Sequence, residues 1–115
     1  MGAWGEQPKQ NDSTGDLFDI VRANAAHGVK RLFKRRKKQL DAYGLWARLG
    51  VLQEVLDGMP AVVGHLQEEM KMAVDNDIYV LLEDDHWLSG WVSPKKTTAS
   101  LKKFRKRLER ELRKL

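Results

Sequence analysis

Apolar residues recur at intervals of three and four along most of this 115-residue chain. That spacing places apolar side chains on one face of an α-helix, whereas a half-buried strand alternates apolar and polar residues. The clearest case follows Ser93-Pro94, where Lys and Arg surround a narrow apolar stripe formed by Leu101, Phe104, Leu108, Leu112 and Leu115. We therefore predict a basic amphipathic C-terminal helix over residues 94–115.

The first helix is predicted to begin at residue 13 or 14, because residues 11–14 (Asn-Asp-Ser-Thr) carry side chains that can cap a helix N-terminus. Its apolar face continues into a basic run, and we place its end near residue 38. Gly28 costs about 1 kcal/mol relative to alanine inside a helix. A break or bend at Gly28 is therefore the alternative to one continuous helix.

Two more helices are predicted on either side of Pro60. The second helix covers residues 40–59, and Gly58 with Pro60 forms its stop signal. The third begins after Pro60, which suits the first turn of a helix, and fades at residues 75–77.

The segment 78–82 (Ile-Tyr-Val-Leu-Leu) is a short apolar run that periodicity alone does not assign to helix or strand. A single strand would have no partner in this chain. We interpret the segment as a short buried helix, capped by Asn76 or Asp77 and closed by Ser89-Gly90.

These elements predict an all-α fold, a compact bundle of four to five helices in a single domain over residues 1–115. No apolar run approaches the roughly 18 residues that cross a bilayer. The chain contains no cysteine, which excludes disulfides and thiolate chemistry. Together with the absence of a signal-peptide pattern, this favours a cytoplasmic protein.

The net charge of +5 is strongly partitioned along the chain. Residues 29–38 hold seven cationic and no acidic residues, and residues 94–115 hold ten cationic and two acidic ones. Residues 39–93, by contrast, hold two cationic and ten acidic residues. Two basic blocks therefore flank an acidic one.

The basic blocks are the candidate binding surfaces for phosphates or for an acidic protein. Their candidate residues are Lys30, Arg31, Lys34, Arg35, Arg36, Lys37 and Lys38 in the first block, and Lys102, Lys103, Arg105, Lys106, Arg107 and Arg110 in the C-terminal helix. The alternative is a pair of solvated helix faces. In that case the acidic middle helices pack against the basic ones, and the charge partition is internal.

Three of the four tryptophans lie in the helical region. Trp46 lies at core phase in the second helix. Trp87 and Trp91 flank Ser89-Gly90, where bulky rings could cover the end of the bundle. The alternative for this pair is an exposed anchor at a protein interface.

No catalytic, metal or cofactor site is predicted. The three histidines fall in three different predicted helices, and Asp84-Asp85-His86 is the only local cluster of potential ligands. Consecutive helical residues point in different directions, so these three side chains do not converge on one ion. There is neither a nucleophile elbow nor a glycine-rich phosphate loop, and we predict a protein that is not an enzyme.

The opening Met1-Gly2-Ala3-Trp4-Gly5, followed by Asn11-Asp12 and Asp16, resembles the start of the bacterial domain-of-unknown-function family 4259. The turn Leu88-Ser89-Gly90-Trp91 before a Leu-spaced final helix is also similar. The resemblance implies a small cytoplasmic protein of bacterial or phage origin, and it supplies neither an activity nor site residues. It further implies that residues 1–12 form an ordered N-terminal cap in which Trp4 is buried against the bundle.

The predicted function is binding of a macromolecular partner without catalysis. We favour a protein partner, with this chain acting as an inhibitor or as an immunity or anti-defence factor. The alternative is a nucleic-acid-binding module that uses the same Lys and Arg residues on phosphates. A homodimer formed through the apolar stripe of the C-terminal helix is a further alternative.

Overall fold

The computed structural model describes residues 12–34 and 40–115, and it describes side chains from residue 23 onward. Residues 1–11 of the predicted N-terminal cap, and with them the predicted burial of Trp4, lie outside the described residues. So do the four candidate binding residues from Arg35 to Lys38.

The described chain is all-α, and neither residues 12–34 nor residues 40–115 contain a strand, which confirms the predicted fold class. The elements in chain order are α1 (Asp12–Phe33), α2 (Ala42–Gly58), a 3-10 helix (Pro60–His65), α3 (Gln67–Met72), a π-helical segment (Ala73–Ile78), α4 (Tyr79–Glu83), α5 (Asp85–Ser89) and α6 (Pro94–Lys114). No helix within these ranges is long and apolar enough to cross a membrane.

Local capping explains where α2 and α6 begin. The backbone N–H of Gly44 donates to Asp41 Oδ1 at 2.8 Å, which satisfies one of the free donors in the first turn of α2. Ser93 caps α6 in the same way, and Pro94 follows it in the first turn. α2 ends at Gly58, immediately before Met59 and Pro60, as predicted.

α1 ends at Phe33, so the predicted end near residue 38 was wrong. Lys34 lies in a turn, and its N–H is shared between the carbonyl oxygens of Lys30 and Arg31 at 3.1 and 3.3 Å. A longer helix would stack the cations of residues 30–38 one turn apart, where like charges destabilise a helix. The charge of the basic run is thus a reason for the end of α1 at Phe33.

α1 passes through Gly28 without a break. A Cβ atom built at this exposed position meets nothing within 4 Å, so alanine fits without strain. We expect Gly28→Ala to raise the free energy of unfolding by about 0.5–1 kcal/mol, measured by urea denaturation. Gly44→Ala is the control, because its Cβ would lie 3.2 Å from Leu40 Cβ and should bring no such gain. Equal gains at both positions would contradict this prediction.

The predicted separation between the third helix and the next one at residues 75–77 was wrong. α3, the π-helical segment and α4 follow each other directly from Gln67 to Glu83. Asp77 is completely buried and does not act as a helix cap. The break comes at Asp84, whose Oδ1 accepts the backbone N–H of Trp87 at 2.9 Å and so caps α5.

The apolar stripe of α6 is part of the core, where Leu101, Phe104 and Leu108 are buried. They share one cluster with residues from every major helix, among them the fully buried Leu52, Leu66, Met70, Ile78 and Leu81. α6 is therefore a core helix with a basic outer side. Most of the apolar stripe on which the homodimer alternative depended is thus buried within one chain and is not available to a second copy.

Candidate partner-binding surface

The outer side of α6 carries a continuous row of exposed cations, here named the basic face of α6. Its members are Lys95, Lys96, Lys102, Lys103, Lys106, Arg110 and Arg113. At 3.6 residues per turn they lie within about 120° of the helix circumference, and at 1.5 Å per residue they extend over about 27 Å. Of the predicted binding residues, Lys102, Lys103, Lys106 and Arg110 belong to this face.

The other two predicted residues of α6 lie on its flanks and make ion pairs inside the molecule. Arg107 Nη2 lies 2.7 Å from Asp57 Oδ1, which ties α6 to α2. Arg105 Nε lies 3.8 Å from Glu109 Oε1, one turn along the same helix. Both arginines are half-buried, so they contribute to packing more than to an outward surface.

The described part of the first basic block divides in the same manner. Lys30 Nζ lies 3.5 Å from Oε1 of the buried Glu69, which links α1 to α3. Arg31 and Lys34 are exposed. The internal-pairing alternative therefore holds for Lys30 and Arg107, each of which meets an acidic residue of the middle block.

A buried ion pair between Arg48 and Asp77 is the largest feature that the sequence analysis missed. Arg48 Nε donates to Asp77 Oδ2 at 2.6 Å, and Arg48 Nη2 donates to Oδ1 at 2.5 Å. Arg48 Nη1 also donates to the Leu32 carbonyl oxygen at 3.2 Å, and the guanidinium lies 4.4 Å from the centre of the Phe33 ring. Arg48 thus joins the end of α1, the middle of α2 and the π-helical segment.

The sequence did contain one signal for this pair. Arg48 is one of only two cationic residues in positions 39–93, and it falls on the apolar face of α2 beside Leu45 and Leu49. A cation at core phase calls for a buried partner. Its partner, 29 positions away, could not be chosen among ten acidic residues by spacing alone.

The three tryptophans of the helical region form one aromatic cluster. Trp46 lies 5.5 Å from Trp87 and 5.2 Å from Trp91 between ring centres, and Trp87 meets Trp91 edge-on at 5.6 Å. Trp87 is buried, and the other two rings are half-buried. Trp87 is therefore a packing residue and not an exposed interface anchor, whereas Trp91 keeps one accessible edge.

A groove of about 250 Å³ opens between α2 and α6. Its lining, here named the α2–α6 groove, consists of Trp46, Leu49, Gly50, Gln53, Ser100, Leu101 and Phe104. It adjoins a shallow apolar strip along α2 that includes Ala47, Val51 and Val55. The groove depends on how two distant helices pack, so no local pattern predicted it.

The three histidines and the Asp84-Asp85-His86 cluster belong neither to the basic face of α6 nor to the lining of the α2–α6 groove. His27, His65 and His86 are exposed on different helices. Asp84 is engaged as the cap of α5. Among the side chains of residues 23–34 and 40–115, no three His, Asp or Glu groups are arranged to hold a metal ion.

Comparison with known proteins returned nothing: no family model, no curated protein and no solved structure matches the chain. The resemblance to domain-of-unknown-function family 4259 therefore stays a prediction.

Proposed function

We propose that this chain is a small cytoplasmic protein of bacterial or phage origin that binds an acidic protein partner, without catalysis, as an inhibitor or immunity factor does. The observation that carries the proposal is the basic face of α6. Seven exposed cations lie on one side of a helix whose opposite side is buried in the core.

The charge of this face is not required for packing. The core uses Leu101, Phe104 and Leu108, and the contact with α2 uses Arg107. Like charges at this density repel one another and destabilise the free protein. An acidic partner would remove that repulsion and would be steered toward the face by long-range attraction.

The position of the α2–α6 groove favours a protein partner over a nucleic acid. Protein interfaces combine a polar rim with an apolar centre that accepts anchoring side chains. The groove provides apolar walls directly beside the basic face, which phosphate binding alone does not need.

Nucleic acid is the second candidate, because the basic face itself carries Lys and Arg and no aromatic side chain. Such a face suits phosphate oxygens, which fix position on a duplex without reading bases. In this case binding to duplex DNA should weaken by about 0.9 log unit per log unit of salt for each phosphate contacted.

The proposal is tested with a fluorescein-labelled acidic amphipathic peptide of about 20 residues, whose helix would match the length of α6. We expect the triple substitution Lys103→Gln, Lys106→Gln and Arg110→Gln to weaken peptide binding about tenfold in an anisotropy titration at low salt. The control is Gln67→Glu with Lys71→Glu, which lowers the net charge by the same three units at exposed positions outside both basic blocks. The control should bind like the unmodified protein.

Equal losses in the α6 triple variant and in the control would show that only net charge matters and would contradict the proposal. So would a peptide that fails to bind the unmodified protein at low salt. Tighter binding of duplex DNA than of the peptide, lost in the α6 triple variant, would replace the protein partner with a nucleic acid.

A further inference from the structure

We propose that the α2–α6 groove receives one apolar side chain from an acidic helical segment of the partner, which anchors the segment while its carboxylates meet the basic face of α6. This inference rests on the proposed function for the existence of an acidic protein partner. It adds the site at which the partner is held and the side chains that the site selects, an apolar anchor with carboxylates beside it.

The size and walls of the groove fit a side chain. Its volume of about 250 Å³ is smaller than the roughly 300–1,000 Å³ of pockets that hold small-molecule ligands. Trp46, Leu49 and Phe104 supply apolar surface, and Gln53 and Ser100 supply polar groups at the same site. Burying a Leu, Phe or Trp side chain here is favourable because it removes apolar surface from water on both molecules.

The absence of a side chain at Gly50 helps to form the groove. Gly50 lies within α2, and a Cβ atom built there meets nothing within 4 Å. A helix normally gains stability when such a glycine becomes alanine, since glycine loses more backbone freedom on folding. The chain thus has glycine at a position where alanine would stabilise the helix. Any larger side chain there would fill the open space of the groove.

The charges beside the groove set the character of the occupant. Ser100 lines the groove from α6, and Lys96 and Lys103 lie one turn before and one turn after it. Residues three and four apart are neighbours on a helix surface, so two exposed cations flank the opening. An occupant helix with an apolar anchor and carboxylates one turn to each side of it would place the anchor in the groove and the carboxylates at Lys96 and Lys103.

The same spacing argues against a nucleic acid at this site. Lys96 and Lys103 lie about 10.5 Å apart along the helix axis, and the α2–α6 groove with its apolar walls opens beside Ser100, between them. A phosphodiester backbone would place further anions against those walls, where an unpaired charge loses solvation. An acidic peptide can place an uncharged side chain at that point.

The experiment compares Gly50→Leu with Gly28→Leu in binding to two peptides. The first is the acidic helical peptide with a single Leu anchor, and the second carries Ala in place of that Leu. Both glycines lie within helices, and at both a Cβ atom meets nothing within 4 Å. Only Gly50 lines the groove, so Gly28→Leu is the matched control. Thermal unfolding verifies that both variants are folded.

We expect Gly50→Leu to weaken binding of the Leu peptide about tenfold, which corresponds to the loss of one anchoring contact. Binding of the Ala peptide should be weak and unchanged by either substitution. Gly28→Leu should bind both peptides like the unmodified protein. Trp46 lines the groove, so its fluorescence should change on binding the Leu peptide and not the Ala peptide.

The outcomes separate the groove from the basic face. If Gly50→Leu leaves Leu-peptide binding intact while the α6 triple variant still weakens it, the groove proposal is overturned and the proposed function stands. If the α6 triple variant also has no effect, the proposed function fails. A dimer in sedimentation that Gly50→Leu converts to monomer would assign the groove to a second copy of this chain and would overturn the proposal.

Discussion

Replacing Arg48 with Met should lower the free energy of unfolding by about 3–5 kcal/mol, a large part of the total stability of a domain of this size. Met has a volume similar to that of Arg but cannot hydrogen-bond to Asp77, whose side chain is completely inaccessible to solvent. The variant would remove both Arg48 donors from a buried carboxylate, leaving the side-chain amide of Asn76 at 2.9 Å as its donor, and it would leave the Leu32 carbonyl oxygen without Arg48 Nη1. Urea denaturation followed by circular dichroism measures the loss.

Two further variants show whether the loss comes from the buried charge. Arg107→Met removes an ion pair whose acidic partner, Asp57, is 57% exposed, and it should cost at most about 1 kcal/mol. The double variant Arg48→Met with Asp77→Leu removes both charges and should recover most of the stability, because buried pairs barely exceed their desolvation penalty. Similar small losses for the two single arginine variants would contradict the assigned role of Arg48.

Features that depend on neighbouring residues were predictable from the sequence. The apolar stripe of α6, its start after Ser93 and the stop at Gly58 each rest on residues within one or two turns, and the structure contains all three. Helix-spaced apolar residues without a paired strand were sufficient to predict the all-α fold. The short apolar run at 78–82 proved helical, as the lack of a strand partner indicated. Its predicted burial holds for Ile78 and Leu81 but was wrong for Tyr79 and Val80, which are exposed.

Features that depend on distant pairs were not predictable. The π-helical segment includes the buried Asp77, and its partner Arg48 lies 29 positions earlier in the chain. The local sequence pattern predicts Asp77 to be a helix cap, since Asp is common at helix N-termini. Only the tertiary contact shows that this carboxylate faces the core.

The candidate surface shows the same division. Counting charges located the basic residues of α6, but it could not separate the exposed Lys106 from Arg107, which reaches Asp57 on α2. Neighbours in sequence thus have different roles because one faces another helix. The α2–α6 groove, formed by residues about fifty positions apart, has no local signature at all.

The second large effect on stability is expected from a substitution in the aromatic cluster of Trp46, Trp87 and Trp91. Trp87→Ala should lower the free energy of unfolding by about 3–5 kcal/mol, because a buried Trp leaves a cavity that the neighbouring helices cannot fully close. Trp87 is 6% exposed, and its ring contacts both Trp46 and Trp91. Trp87→Phe should cost less, since it keeps an aromatic ring and removes an indole N–H that is buried without a hydrogen bond in the described residues. Urea denaturation of the two variants provides the comparison.

Trp91→Ala is the control within the same cluster. Trp91 is half-buried, so its loss should cost about 1–2 kcal/mol, mainly the aromatic contacts and part of its apolar area. An equal or larger loss for Trp91→Ala would show that Trp91, and not Trp87, supports the end of the bundle. Peptide binding by the same variant separates packing from recognition. If Trp91 contributes only packing, Trp91→Ala binds the acidic Leu peptide like the unmodified protein. Weakened binding in a folded variant makes the accessible edge of Trp91 part of the interface.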